Sequence, residues 1–298
     1  QIPFEIIDFG AIKLNNRDEM IDEFNQLVKP QVYQHMHHIT SKIIHLHMKD
    51  LQKGRPFPEV MQEFLDWCGE DYIFCTWGPL DLFELQRNMK YYGKLSMIPG
   101  PVTYYDVQKL FAIRYEENHE RRALEFAADK MGIAKKMEFH RALGDAYYTA
   151  CVLQKIEDEY ILPNSSLDVY QNPKSKREEI HVSYPTYDKF VSREFYSREK
   201  AMKDREVTST KCPLCHNPAK RKIRWFMNNS KVYYSISLCQ EHGFVMGKIR
   251  LRKTENNMYY AIKTLTNVSD EEAEEIRQKR EAHRAKKRSR KAEETAKQ

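Results

Sequence analysis

The sequence predicts a mixed α/β layer fold, followed by a small β-rich domain and a charged C-terminal helix. Three observations carry that prediction. Short strand-like runs alternate with helix-spaced apolar residues over roughly the first half of the chain. Two Cys/His pairs, separated by 23 residues, follow in the second half. Between the halves the charge changes sign: residues 1–162 carry 19 Lys+Arg against 25 Asp+Glu, a net of −6, whereas residues 163–298 carry 30 against 18, a net of +12.

Taken in order, residues 5–14 and 22–29 alternate as a β-hairpin across the polar turn Asn15-Asn16-Arg17-Asp18. Ile39-Thr40-Ser41 introduces a short helical stretch, and Pro58 suits the first turn of a helix over 59–69 with Val60, Phe64 and Trp67 on one side. A strand at 72–77 ends in Gly-Pro, a helix spans 81–92, a second strand surrounds Tyr104 to Val107, and helices follow at 108–114, 121–131 and 141–158. From 163 to 210 the composition turns linker-like, with Asn164, Ser165, Ser166, Asn172, Pro173 and Ser175, although Tyr184, Tyr187 and Phe190 keep it partly apolar. Residues 211–265 read as a zinc ribbon. The last segment, 269–298, opens with Ser269-Asp270-Glu271-Glu272, a capping box for a basic helical tail that frays when unbound.

At 298 residues and 41% hydrophobic content the chain can bury an ordinary core for two domains. No run reaches the roughly eighteen apolar residues of a membrane span, so no membrane partner and a cytoplasmic location are the expectations. Cys68, Cys75 and Cys151 are scattered as free thiols rather than arranged as a disulfide framework.

The most informative stretch is His140-Arg141-Ala142-Leu143-Gly144-Asp145, inside an apolar run that reads as a helix. A spacing of five nearly completes a turn and a half, so a base and a metal-binding carboxylate can face one pocket. Asp81 follows the strand 72–77 where it hands over to a helix, the sheet edge at which α/β sites form. Read alone, Asp81 is also a natural helix N-cap and His140 a loop histidine. Asp106 is read as a cap or turn residue, and His35, His37, His38, His45 and His47 as exposed histidines without ligand spacing.

In this order the motifs resemble the DEDDh family of 3′–5′ exonucleases, which includes ribonuclease T, oligoribonuclease and the proofreading subunit of bacterial replicative polymerase. Residues 5–14 look like that family's second strand, Thr76 to Asp81 like its second motif and His140 to Asp145 like its third, over roughly residues 1 to 160. The resemblance implies a ribonuclease H-like mixed sheet flanked by helices. It also implies hydrolysis of single-stranded RNA or DNA from the 3′ end with two Mg²⁺ or Mn²⁺ ions, Asp81 and Asp145 as metal ligands and His140 as general base.

The family's first strand carries an Asp-x-Glu, whose period of two points both side chains to one face. Glu5 and Asp8 are no substitute, because a spacing of three sends them to opposite faces. The chain therefore reads as lacking about twenty residues, one strand plus its hairpin, and is expected to be inactive as it stands. A noncatalytic nucleic-acid-binding protein that keeps the nuclease fold as a scaffold is the alternative.

Cys212-Pro213-Leu214-Cys215 and Cys239-Gln240-Glu241-His242 have the paired spacing of tetrahedral zinc, with Gly243 letting the backbone fold back and His216 as a decoy ligand. Four protein ligands leave no open position, so the zinc is structural. The flanking strands interleave cations and aromatics, and Arg221, Lys222, Arg224, Lys248, Arg250 and Arg252 are the candidate nucleic-acid contacts.

Overall fold

A computed structural model describes residues 2–36, 41, 42, 44, 46–228 and 232–296. The chain divides into two compact units, Gln1–Gln171 and Asn172–Gln298. Among the described residues no helix is long and apolar enough to cross a membrane. Ile39 and Thr40, expected with Ser41 to introduce a short helical stretch, lie outside the described residues, as do His37, His38 and His45, while Ser41, Lys42 and Ile44 are helical.

In the first unit, β1 (Asp8–Leu14) and β2 (Met20–Leu27) form the expected antiparallel hairpin, with Asp8 opposite Leu27. The Asn15 side chain closes the turn by accepting from the backbone N–H groups of Arg17 and Glu19. Helix α1 (Phe57–Cys68) starts with proline in its first turn and ends at Gly69, whose φ of +82° suits a residue without Cβ. Its Phe57, Val60, Met61 and Phe64 are buried with Phe9 and Phe24 of the hairpin, each contributing about 1.5–3 kcal/mol of apolar burial.

β3 (Phe74–Thr76) lies parallel to β4 (Val102–Asp106), and β5 (Ser166–Asp168) joins β4 antiparallel. Between them run α2 (Leu80–Tyr91), α3 (Val107–Tyr115), α4 (Leu124–Lys130) and α5 (Ala142–Leu153). The described residues form the mixed α/β arrangement as two sheets flanked by helices, an antiparallel pair, β1-β2, and a mixed three-stranded sheet, β3-β4-β5. Helix α5 lies against β1, β2 and β3. That approach is close enough that a Cβ on Gly10 would collide with the backbone of Ala142 and Leu143.

In the second unit the strands β6 (Ile180–Ser183), β7 (Tyr187–Val191), β8 (Lys220–Met227), β9 (Val232–Cys239), β10 (Gly243–Lys253) and β11 (Tyr259–Asn267) form one antiparallel sheet in the order β6-β7-β11-β10-β9-β8. This corrects two expectations. Residues 163–210 are more than a linker packed partly on one neighbour, because β5 completes the first unit's small sheet and β6 and β7 pair into the large one. The Cys/His region is not a stand-alone ribbon but one end of a six-stranded sheet. One face packs Phe190, Ile249 and Ala261 against Ala201 of α6 (Arg198–Lys203) and Val207 of α7 (Arg205–Thr208). The other face packs Ile223 and Ile236 against Ala273 and Ile276 of α8 (Asp270–Ala296). The capping box at its start is formed: Glu272 N–H donates to Ser269 Oγ and Ser269 N–H to Glu272 Oε2.

Candidate functional site

His140 does not lie inside a helix. It sits two residues before α5 in the left-handed region, at φ +64°, a conformation that costs a residue with a Cβ and is held only where surrounding bonds enforce it. Those bonds come from both sides. Asp145, in the first turn of α5, accepts from the backbone N–H of His140 at 3.0 Å. Asp8, at the start of β1, accepts from Arg141 Nε at 3.1 Å and from the N–H of Ala142 at 3.2 Å. The close seat of the helix start needs Gly144, because a Cβ there would meet the Glu138 carbonyl.

Asp81 lies within the first turn of α2, one residue past the helix start, so it is not the N-cap that Pro79 is. It remains accessible to solvent, yet crowding by protein atoms partly desolvates its carboxylate and the charge of Asp145 adds to that, raising its pKa to about 6. Asp145 is raised by burial as well, against the hydrogen bond and charge of His140 and with the charge of Asp8. Asp145 is thus the group that Asp81, Asp8 and His140 each reach electrostatically. Desolvated, mutually repelling carboxylates suit a divalent cation. No three of their ligand atoms, however, gather within 4.8 Å.

Sequence reasoning missed Asp8. Its Oδ2 holds the start of α5 while its buried Oδ1 meets no protein donor. Glu5 precedes β1 and serves a loop instead, accepting from the N–H groups of Gln31, Val32 and Tyr33. Asp106 caps α3 through the N–H of Lys109 and pairs with Arg121 at 2.8 Å.

The second chemical centre is the Cys/His group. Cys212 Sγ lies 3.7 Å from His242 Nδ1, Cys215 Sγ 3.6 Å from Cys239 Sγ, and Cys239 Sγ 3.8 Å from His242 Nδ1. All four ligand atoms fall within 4.8 Å of one another. A tetrahedron with metal–sulfur bonds of about 2.3 Å has edges of about 3.8 Å, so the four residues fit zinc without rearrangement. A backbone hydrogen bond from Glu241, against burial and with a second from His242, lowers the Cys239 thiol pKa toward the thiolate a metal needs. Gly243 turns the chain at φ +75°. His216 stays outside the group, its Nδ1 3.6 Å from Asp188 Oδ2.

Of the six basic strand residues, Arg221 is committed elsewhere: its guanidinium donates to the Thr208 carbonyl, which also receives the Trp225 indole N–H. Lys222 and Arg224 are exposed on the edge strand β8, and Arg250 and Arg252 are exposed on β10. Lys248 is half-buried, with its ammonium 6.0 Å from the Tyr234 ring centre.

No curated protein matches the chain. Among solved structures it is similar to the nuclease domain of 3′hExo, a DEDDh family member, bound to rAMP, at 20% identity over 51% of this chain and 80% of that one, with a TM-score of 0.46. It is similar to a full-length 3′-exonuclease at 20% identity over 51% and 71%, TM-score 0.45. For cell-death related nuclease 4 the figures are 20%, 51% and 56%, with a TM-score of 0.43. The RNase T exonuclease family model matches residues 1–153, more than half of the chain and the whole stretch that holds Asp8, Asp81, His140 and Asp145. The protein belongs to the RNase T exonuclease family.

Proposed function

We propose that this protein is a cytoplasmic 3′–5′ exonuclease that hydrolyses phosphodiester bonds at single-stranded 3′ ends, RNA in preference to DNA. The observation that carries the reading is electrostatic: Asp81 and Asp145, on different helices, are each made harder to ionise by burial and by a neighbouring carboxylate, beside a histidine held in a strained turn. Asp81 and Asp145 would hold Mg²⁺ or Mn²⁺, whose charge, when bound, acidifies a water and stabilises a leaving 3′ oxygen. His140 takes the proton of the attacking water as its oxygen bonds to phosphorus and the 3′ oxygen departs. Asp145, beside that imidazole, stabilises the imidazolium so formed. The basic second unit supports nucleic acid as the partner and, with its arginine- and lysine-rich tail, favours RNA. Cys212, Cys215, Cys239 and His242 would hold a structural Zn²⁺.

Two carboxylates supply fewer oxygens than two hard cations require, so full activity needs further oxygen ligands, and the Asp-x-Glu of the family's first strand is their expected source. The noncatalytic binding reading draws on the same point, that no three ligand atoms at this site lie within 4.8 Å. The test is a 5′-labelled oligonucleotide incubated with Mg²⁺ or Mn²⁺ and two forms of the protein, this chain and one preceded by an Asp-x-Glu strand. The extended form should give a ladder shortened from the 3′ end, abolished by Asp81→Ala and reduced at least a hundredfold by His140→Ala, in keeping with roughly 10²–10⁴ for general base catalysis. A ladder that survives both substitutions would refute the assignment, and an extended form that binds without cutting would establish the binding reading.

A further inference from the structure

The register of the six-stranded sheet assigns its side chains to two faces, because residues directly opposite in antiparallel strands point the same way. Lys248 lies opposite Tyr234 on β9 and Thr264 on β11, Arg250 opposite Val232 and Ile262, and Arg252 opposite Tyr260. They share their face with Met246 and Ile236, the residues over which α8 docks through Ala273 and Ile276. The outer strands add Lys189, opposite Thr264, and Lys220, opposite Leu238. Among the described residues, five cations and no carboxylate occupy the register-assigned positions of this face. Asp188 points to the other face, opposite Leu265.

Elsewhere in this unit cations have carboxylate partners: half-buried Arg193 pairs with Glu179 and Asp204, and exposed Lys174 with Glu194. Among the described residues no ion pair involves Lys248, Arg250 or Arg252. Burial and the charge of Arg250 together lower the pKa of Lys248, as expected where cations are packed without counter-charge. Positions two apart on a strand are about 6.8 Å apart, so the three side chains form a straight row about 14 Å long beside the docked helix. Along that helix, Arg277 to Lys291 contain nine Lys+Arg and the single acid Glu281.

We propose that this sheet face is a docking site for single-stranded nucleic acid, with the phosphates running along β10 against Lys248, Arg250 and Arg252. A row of cations along one strand suits an extended single strand, whose bases remain free to stack, rather than the convex surface of a duplex. Tyr234, under the Lys248 ammonium, offers a ring on the same face. The inference deepens the nuclease reading by giving the substrate a second hold, and it is tested without catalysis.

The experiment is fluorescence anisotropy of a labelled oligouridylate with the full chain, without added Mg²⁺ or Mn²⁺, across a series of KCl concentrations. Replacing Lys248, Arg250 and Arg252 together by Gln should weaken binding roughly tenfold or more and lower the slope of log affinity against log salt by about 2, near 0.7 for each phosphate no longer neutralised. The equally charge-depleted control, Lys200→Gln, Lys203→Gln and Arg205→Gln on the helices that cover the other face, should leave the slope unchanged. If the triple variant does not fold, Arg252→Gln, exposed near the end of β10, should still lower the slope by about 0.7. Equal slopes for the face and control variants would overturn the proposal, as would duplex RNA bound as tightly as the single strand. Binding as proposed with no cleavage by the form carrying the Asp-x-Glu strand when Mn²⁺ is added would refute the nuclease reading and leave this one standing.

Discussion

Asp8 and Arg141, 133 residues apart in the chain, meet at 3.1 Å, and the same Asp8 oxygen receives the first backbone N–H of the helix that carries Asp145. The pair is well shielded, with side-chain exposures of 12% and 27%. One carboxylate at the start of a strand thereby fixes where a helix begins, and so where a second carboxylate and the neighbouring histidine are presented. An acceptor at a helix N-terminus satisfies an otherwise orphaned N–H and opposes the positive end of the helix dipole.

Asp8→Ala should therefore destabilise the first unit by about 2 kcal/mol, from removal of the helix cap together with the guanidinium left without its partner. Asp8→Asn keeps an acceptor for Ala142 and should cost about half as much. Chemical denaturation of both variants checks this, and an Ala variant as stable as the parent would show that the interaction contributes nothing.

The raised pKa of Asp81 gives a pH signature. Its folded value of about 6 exceeds the unfolded value of about 3.9, so between these pH values the folded chain binds the extra proton. Stability from this group is present below about pH 4 and is lost as the pH rises through 6. Asp81→Asn should accordingly match the parent near pH 4 and be the more stable of the two at pH 7 to 8, by a margin that solvent exposure of the carboxylate keeps small. Denaturation at both pH values decides it, and a gap that widens toward low pH would contradict the sign.

Asp81, His140 and Asp145 were legible because each belongs to a local motif whose order along the chain is itself informative. Asp8 was not, since strand periodicity tells which face a residue takes but not which helix covers the strand's end. The turn at His140 escaped notice for a related reason: a helix from about residue 141 is legible in the apolar residues from Ala142 onward, but the left-handed conformation of His140 is imposed by Asp145 and the close seat of Gly144 rather than by local propensity. β6 and β7 escaped notice because four- and five-residue strands set among Asn, Ser, Pro and Lys show too little alternation, and only the pairing of β7 with β11 and of β6 with β7 makes them strands. The Cys/His spacing picked out the four residues that gather, and it gave no hint of the size of the sheet they terminate.

Lys263 is nearly inaccessible, yet its ammonium donates to the carbonyls of Glu206 and Ser209 at 2.6 and 2.9 Å and lies 4.9 Å from the Phe190 ring centre. It closes the end of α7 just before the Cys/His turn. Burial, against the nearby Glu206, lowers its pKa to about 8, below the unfolded value of about 10.4. The folded chain then holds fewer protons between these values, so the stability linked to this group is full above about pH 10 and is lost as the pH falls through 8. Lys263→Met should cost about 2 kcal/mol by leaving two carbonyls without a donor, and the parent's advantage over it should grow from pH 8 to 10. A difference that shrinks over that range would refute the buried-ammonium account.

The Cys/His centre should hold one Zn²⁺ per chain and depend on it for its fold. Cys212 is fully buried and Cys239 nearly so, at the end of β9, while the bridge between Lys211 and Pro218 closes the first knuckle. Without a cation, three thiols and an imidazole would be crowded at 3.6–3.8 Å with little to hold them. Structural zinc contributes on the order of 10 kcal/mol in small domains, more than the apolar side chains beside these ligands supply. Protein purified without chelator should therefore release one equivalent of zinc to a colorimetric chelator on denaturation. Cys239→Ser should hold less zinc and unfold the β9–β10 end of the sheet, whereas His216→Ala, which removes only the exposed partner of Asp188, should keep both metal and fold. Zinc lost on His216→Ala and retained on His242→Ala would exchange the two histidines' roles, and protein that folds with no bound metal would refute the site.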